Sequence, residues 1–291
     1  MMRPDAMIWL DHHTRLLARN RIGVRIRHAA RHALSWRRDL AIRTSQVGVF
    51  YGDIGDREYL AAVASNTVEA FNMALFVEAI STATNVVDVG AHLGRYSLVA
   101  GARLVNIPGG CVWAFEPNPV SYRLLEKNRH VNRLDKHIMT SRYALSDRSG
   151  SALFHLSPGD RSTSSLFKGG DHDDEVTVRT ARLDDVLPVG TQIDVVKMDV
   201  EGGEVRALRG MPRVLSTLRH LFIECNPSAL EAAGSSASEL LSLLDSRFDV
   251  QVVDEPTQAL RPLVDRDTRE GYVNLYARQR LTRLGQGTGS L

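Results

Sequence analysis

The stretch Val86-Val87-Asp88-Val89-Gly90-Ala91-His92-Leu93-Gly94 constrains the rest of the chain more than any other. An apolar run of β-branched residues reads as a buried strand, and the glycines at its end mark a turn where backbone must approach a ligand closely. The turn feeds a helix predicted over residues 95–106, whose first N–H groups have no partner within the helix and suit a carboxylate or phosphate. A second strand, Cys111–Phe115, then delivers Glu116 to the same sheet edge. A carboxylate there can accept both hydroxyl protons of a ribose, so the stretch predicts a nucleoside-cofactor pocket.

Glycine spacing selects the cofactor. A dinucleotide fingerprint reads GxGxxG with its acid about 20 residues on, whereas this chain reads DxGxxxG with the acid further along. Asp88 inside the motif would repel a pyrophosphate and welcome an ammonium. S-adenosylmethionine has an amino-acid end for Asp88, Gly90, His92 and Gly94 and a ribose for Glu116. An NAD(P)-dependent Rossmann oxidoreductase is the rival reading, and a catalytically silent cofactor-binding module is a third.

The chain has 291 residues, 43% of them apolar and 24% charged, enough for one α/β domain with an extension. Its net charge of +2 implies no polyanionic partner, so nucleic acid is not expected. Cys111 and Cys225 both fall in apolar strand-like runs and predict buried thiols rather than a disulfide framework. No apolar run approaches the roughly 18 residues of a membrane span, and a cytoplasmic protein is the expectation.

Three segments follow from composition and periodicity. Residues 1–45 form a basic arm with broken helical periodicity, rich in arginine from Arg15 to Arg43. The arm is open to contact with an anionic membrane surface, to nucleic acid, or to docking on the main domain or a second subunit. Residues 46–280 form the main domain, and residues 281–291 a loose tail. Within the main domain Glu69, Phe71, Leu75, Phe76 and Ile80 lie close to helical spacing ahead of the first core strand, and Glu69 is either a solvated helix residue or a polar group closing the pocket.

Beyond Glu116 the pattern alternates as in a doubly wound sheet: a helix over 119–132, a strand over 137–145, an antiparallel pair over 151–156 and 175–181, and a helix over 204–215. Ser146 and Asp147 end the 137–145 strand, either at the adenine or as a plain turn. The polar stretch 157–174 has the composition of a lid, with Ser162, Ser164 and Ser165 facing an acceptor. The acids of Lys197-Met198-Asp199-Val200-Glu201 and of Glu224 converge at one sheet edge. A lysine in so apolar a strand needs an anion beside it, and such convergence marks a functional site more often than a structural one.

Taken together, DVGAxxG, AFEPNP, ALSD, DVVKMDVEGGE and LRG resemble the FkbM family of S-adenosylmethionine-dependent methyltransferases over roughly residues 69–230. The resemblance implies the class I methyltransferase fold, a seven-stranded, mostly parallel sheet with helices on both faces. It also implies O-methylation of a small-molecule or glycan acceptor: a sugar, glycolipid or secondary metabolite. Asp88, Gly90, Gly94 and Glu116 would hold the cofactor, with Asp147 at its adenine end. Lys197, Asp199, Glu201 and Glu224 would serve the chemistry. His92 stands where the family usually has asparagine. The edge also resembles catechol-type O-methyltransferases, which implies Mg2+ on Asp199 and Glu224 with Asn226 as a third ligand.

Overall fold

The computed structural model describes residues 39–53, 57–156, 165–166, 174–244 and 246–280. Strands β1 (Asp39–Thr44) and β2 (Gly48–Asp53) form an antiparallel hairpin, followed by helices α1 (Arg57–Ala64) and α2 (Ala70–Ala79). Strand and helix then alternate through β3 (Asn85–Val89), α3 (Arg95–Leu104), β4 (Cys111–Phe115), α4 (Pro119–Val131) and β5 (Ile138–Ser141). Next come β6 (Tyr143–Leu145), β7 (Gly150–Leu156), β8 (Asp174–Ala181), the one-turn α5 (Leu183–Val186) and β9 (Val195–Met198). The remaining elements are α6 (Glu204–Arg209), α7 (Pro212–Thr217), β10 (His220–Cys225), α8 (Pro227–Ala232), α9 (Ala237–Leu244), β11 (Phe248–Asp254), β12 (Ala259–Pro262) and β13 (Val273–Gln279).

The main sheet runs β12-β11-β13-β10-β9-β3-β4-β5. Its centre is parallel, and β13 pairs antiparallel with both β10 and β11. These are the seven strands expected of the class I methyltransferase fold, with β12 added at one edge as the return of a hairpin with β11. Alternation within each strand feeds two cores. Val87, Val196 and Ile223 pack towards α6, α7 and α9, while Val86, Val195 and Phe222 pack towards α2, α3 and α4. Strands covered on both faces become continuous apolar runs, which is why β3 and β9 stood out in the sequence. Strand order reverses between β3 and β9, and a crevice opens beyond the carboxyl ends there.

Three expectations are corrected. The 45 residues expected as a helical arm include β1, a strand; residues 1–38 of that arm lie outside the described residues. Asp39 anchors the hairpin to α4 through Arg123, at 2.8 and 2.9 Å, and Lys127, at 2.8 Å. Asn128 of α4 and Asn132, the residue that ends it, then pair with the backbone of Tyr51 and Val49 much as a neighbouring strand would. The single strand expected over 137–145 is two. Its first half continues the main sheet beside β4, whereas β6 joins β8 and β7 in a separate three-stranded sheet. Only Arg142 separates the two strands, with no glycine or proline to mark the change of partner. The single helix over 204–215 is broken, because Pro212 lacks an N–H and starts α7. A Cβ on Gly210 would also stand 2.0 Å from the carbonyl oxygen of Ser146.

Candidate active site

At the end of β3 the backbone turns left-handed at Gly90 (φ +77°), His92 (φ +49°) and Gly94 (φ +90°). Expected to make room for a ligand, the glycines are required by the protein itself. A Cβ on Gly90 would lie 1.8 Å from the carbonyl oxygen of Asp199, and one on Gly94 would lie 2.5 Å from Leu125. Glu116 fastens this turn, one carboxylate oxygen accepting from the His92 N–H and the other from the Asn118 N–H, each at 2.7 Å. Asn118 in turn caps α4, where Pro119 occupies the first turn.

Two spaces meet at this turn. A narrow cleft of about 50 Å³ runs past Glu116, Tyr143, Leu145, Phe154 and Leu166. A polar cavity of about 470 Å³ is lined by Glu69, Asp88, Lys197, Asp199, Glu201, Glu224 and Asn226, together with Tyr59, Arg95, Tyr96 and Tyr272. Gly90, His92, Asp199 and Glu201 border both.

Within the cavity the polar groups are mutually restrained. The Tyr96 hydroxyl donates to Glu69 at 2.9 Å, and the Asn274 amide donates to the other Glu69 oxygen at 2.7 Å. Glu69 is thus a wall of the pocket rather than a solvated helix residue. The Ser97 hydroxyl donates to Asp88 at 2.5 Å. Lys197, opposite Asp88 in the β3–β9 register, donates to Asp199 at 3.2 Å and lies 5.1 Å from the centre of the Tyr96 ring. Burial alone would lower the Lys197 pKa, but Asp199, Glu69, Asp88 and Glu224 raise it, so the ammonium is firmly charged. One carboxylate oxygen from each of Asp199, Glu201 and Glu224 lies within 4.8 Å of the others.

Not every expected site residue arrives here. Ser146 and Asp147 bond to each other at 3.1 Å and do not line the cleft; Tyr143, Ala144 and Leu145 do, because β6 brings its strand residues to the opening and its turn away from it. The Asn226 side-chain oxygen caps α8, accepting from the Ser228 hydroxyl at 2.8 Å and the Ala229 N–H at 3.3 Å, while Glu201 joins Asp199 and Glu224 in a cluster of carboxylate oxygens. Ser162 and Ser164 lie outside the described residues. The Ser165 hydroxyl donates to the Glu201 carbonyl at 2.7 Å. Tyr59, Arg95, Tyr96 and Tyr272 were not anticipated. Only Arg95 left a trace in the sequence, as the residue directly after Gly94.

Burial raises the carboxyl pKa values of Asp88 to about 6, and of Glu116 and Glu204 to about 7. Burial, reinforced by Asp199 and Glu201, raises that of Glu224 to about 9. Unfolded, these groups titrate at 3.8 for Asp and 4.5 for Glu. Between these two sets of values the folded protein binds more protons than the unfolded chain, so its stability must fall as pH rises. The thermal midpoint of the ligand-free protein is therefore expected to decline steadily from about pH 5 to about pH 9. A midpoint that is level or rising across that window contradicts the burial of these carboxyls.

Residues 88–250 match the methyltransferase FkbM domain. The chain is 29% identical over 143 residues to the hexuronic acid methyltransferase AglP of Haloferax volcanii, covering 47% of this chain and 54% of that protein. It is 28% identical over 179 residues to the 2-O-methyltransferase NoeI of Sinorhizobium fredii, covering 55% and 71%. The chain thus spans about half the length of the first of these relatives. Methyltransferase FkbM from Methylobacillus flagellatus KT shares 18% identity and a TM-score of 0.41, over 78% of this chain and 55% of that one.

Proposed function

The chain belongs to the FkbM methyltransferase domain family, and from that premise we propose that it methylates a hydroxyl oxygen of a sugar-like acceptor, with S-adenosylmethionine as donor. The observation that carries this reading is the convergence of Lys197, Asp199, Glu201 and Glu224 where the narrow cleft opens into the polar cavity. The donor set suits the cofactor. The cleft combines apolar walls for a purine with the buried Glu116 carboxylate for ribose hydroxyls, and the adjoining cavity offers Asp88 and Glu69 to an ammonium. When bound, the cofactor supplies an electrophilic methyl group on its sulfonium. The names of the relatives, one for hexuronic acid and one for 2-O-methylation, support an oxygen acceptor on a sugar.

The division of labour follows from the carboxyl groups. An alcohol holds its proton far too tightly for a carboxylate to remove it in advance, so removal accompanies bond formation. With a pKa of about 9, Glu224 carries its own proton at neutral pH and is a hydrogen-bond donor rather than a base. Asp199, held at 3.2 Å by Lys197 and bordering both spaces, is the base, with Glu201 beside it. The Lys197 ammonium stabilises negative charge developing on the acceptor oxygen. A second reading places a magnesium ion on the three clustered carboxylates, which offer the hard oxygen ligands it requires.

Calorimetry tests the donor. Micromolar binding of S-adenosylhomocysteine with no heat from NAD is expected, and the reverse preference would overturn the assignment. Turnover that survives exhaustive chelation excludes the magnesium reading and leaves Lys197 as the cation at the site.

A further inference from the structure

Among the described residues two cations line the polar cavity, and only one is paired. Lys197 has Asp199. Arg95, the first residue of α3, is 4% exposed, and its Nε, Nη1 and Nη2 atoms are all buried without a hydrogen-bond partner among the described residues. Its guanidinium carbon lies 5.8 Å from the centre of the Tyr96 ring, a contact that supplies no acceptor to the N–H fork. A lysine or carboxyl in this position could escape by changing its protonation, but a guanidinium cannot. Buried donors left unmatched are strongly unfavourable and persist where a bound group later supplies the acceptor.

The neighbouring acids do not fill this role. Glu69 is engaged by Tyr96 and Asn274, Asp88 by Ser97, and Asp199 by Lys197. The missing partner must be anionic and must present two coplanar oxygens to the fork. Five carboxylates line the same cavity, so a singly charged group meets less repulsion than a phosphate. We infer that Arg95 is the receptor for a ligand carboxylate. This inference rests on the methyltransferase reading for the two sources of that carboxylate: the amino-acid end of the cofactor, or an acidic acceptor such as a uronic acid.

Calorimetry on wild type, Arg95→Met and Arg95→Lys separates the sources. One pair of probes is S-adenosylhomocysteine and 5′-methylthioadenosine, the same nucleoside without its amino-acid end. The other is glucuronate and glucose, each added to protein saturated with S-adenosylhomocysteine. Arg95→Met should weaken the carboxylate-bearing member of one pair by ~10- to 100-fold and leave its neutral counterpart unchanged. Arg95→Lys, which keeps the charge but not the fork, should recover part of the loss. Loss confined to S-adenosylhomocysteine assigns the carboxylate to the cofactor, and loss confined to glucuronate assigns it to the acceptor. Arg95→Met should also raise the thermal midpoint of the ligand-free protein, since it removes an unpaired buried charge. Wild-type affinity of Arg95→Met for all four probes overturns the inference. Should the wild type bind no S-adenosylhomocysteine, the donor assignment fails separately. Arg95 is then tested by sodium acetate, which should raise the midpoint of wild type only; an equal rise in Arg95→Met overturns the inference.

Discussion

Gly90→Ala is expected to cost about 3–5 kcal/mol of stability, since an added Cβ there meets the closest contact found at any described glycine. Two penalties combine. An L-residue at φ +77° is strained by about 1–2 kcal/mol. The added carbon would also sit 1.8 Å from the Asp199 carbonyl oxygen, an overlap that only backbone movement can relieve. That movement separates β3 from the end of β9 and carries Asp199 away from Lys197. Urea denaturation followed by circular dichroism reads the effect as a lowered midpoint, and an unchanged midpoint would show that the turn is slacker than its contacts imply.

The second large effect falls on turnover. Asp199→Asn preserves shape and an oxygen for Lys197 but removes the base, and should reduce kcat by about 10³-fold. S-adenosylhomocysteine affinity should remain within about threefold, because Glu116 and the glycine turn are untouched. Glu224→Gln is the control: a group that already carries its proton at neutral pH loses little on becoming an amide. Steady-state rates at saturating donor distinguish the two acids. If Glu224→Gln is the crippled variant and Asp199→Asn is active, the base has been assigned to the wrong strand.

Much of this arrangement was readable from the residues, and the unreadable parts have definable causes. Buried parallel strands write themselves as apolar runs, so β4 has the bounds expected of it and Asp88, Glu116, Asp199 and Glu224 lie at the expected edge. Pro119 marked the start of α4 for the same kind of local reason. What failed was whatever depended on the identity of a neighbour. No feature of residues 137–145 reveals that the chain changes sheets at Arg142. Nothing in the Glu224–Asn226 edge by itself announces that Asn226 caps the helix begun by Pro227. Gly90 signalled a tight approach, yet the approaching group is the protein's own carbonyl. Arg95 leaves no more than its place after Gly94 as a trace, because an arginine at the start of a helix is ordinarily solvated. Only its burial makes it conspicuous.

The wall formed by Glu69 has a consequence for the order of assembly. Its amide donor, Asn274, lies 205 positions further along the chain, and the N–H groups of Phe71 and Asn72 at the start of α2 are capped by Glu255, 184 and 183 positions away. Contacts so distant in sequence form after the local ones, since closing long loops is entropically unfavourable until other structure holds their ends together. During synthesis the glycine turn, its Glu116 clasp and Tyr96 all emerge well before Asn274, the second of the two donors that hold Glu69. The nucleoside side of the site therefore exists before the polar cavity is closed, and β13, the last of the described strands in chain order, is the one that completes it.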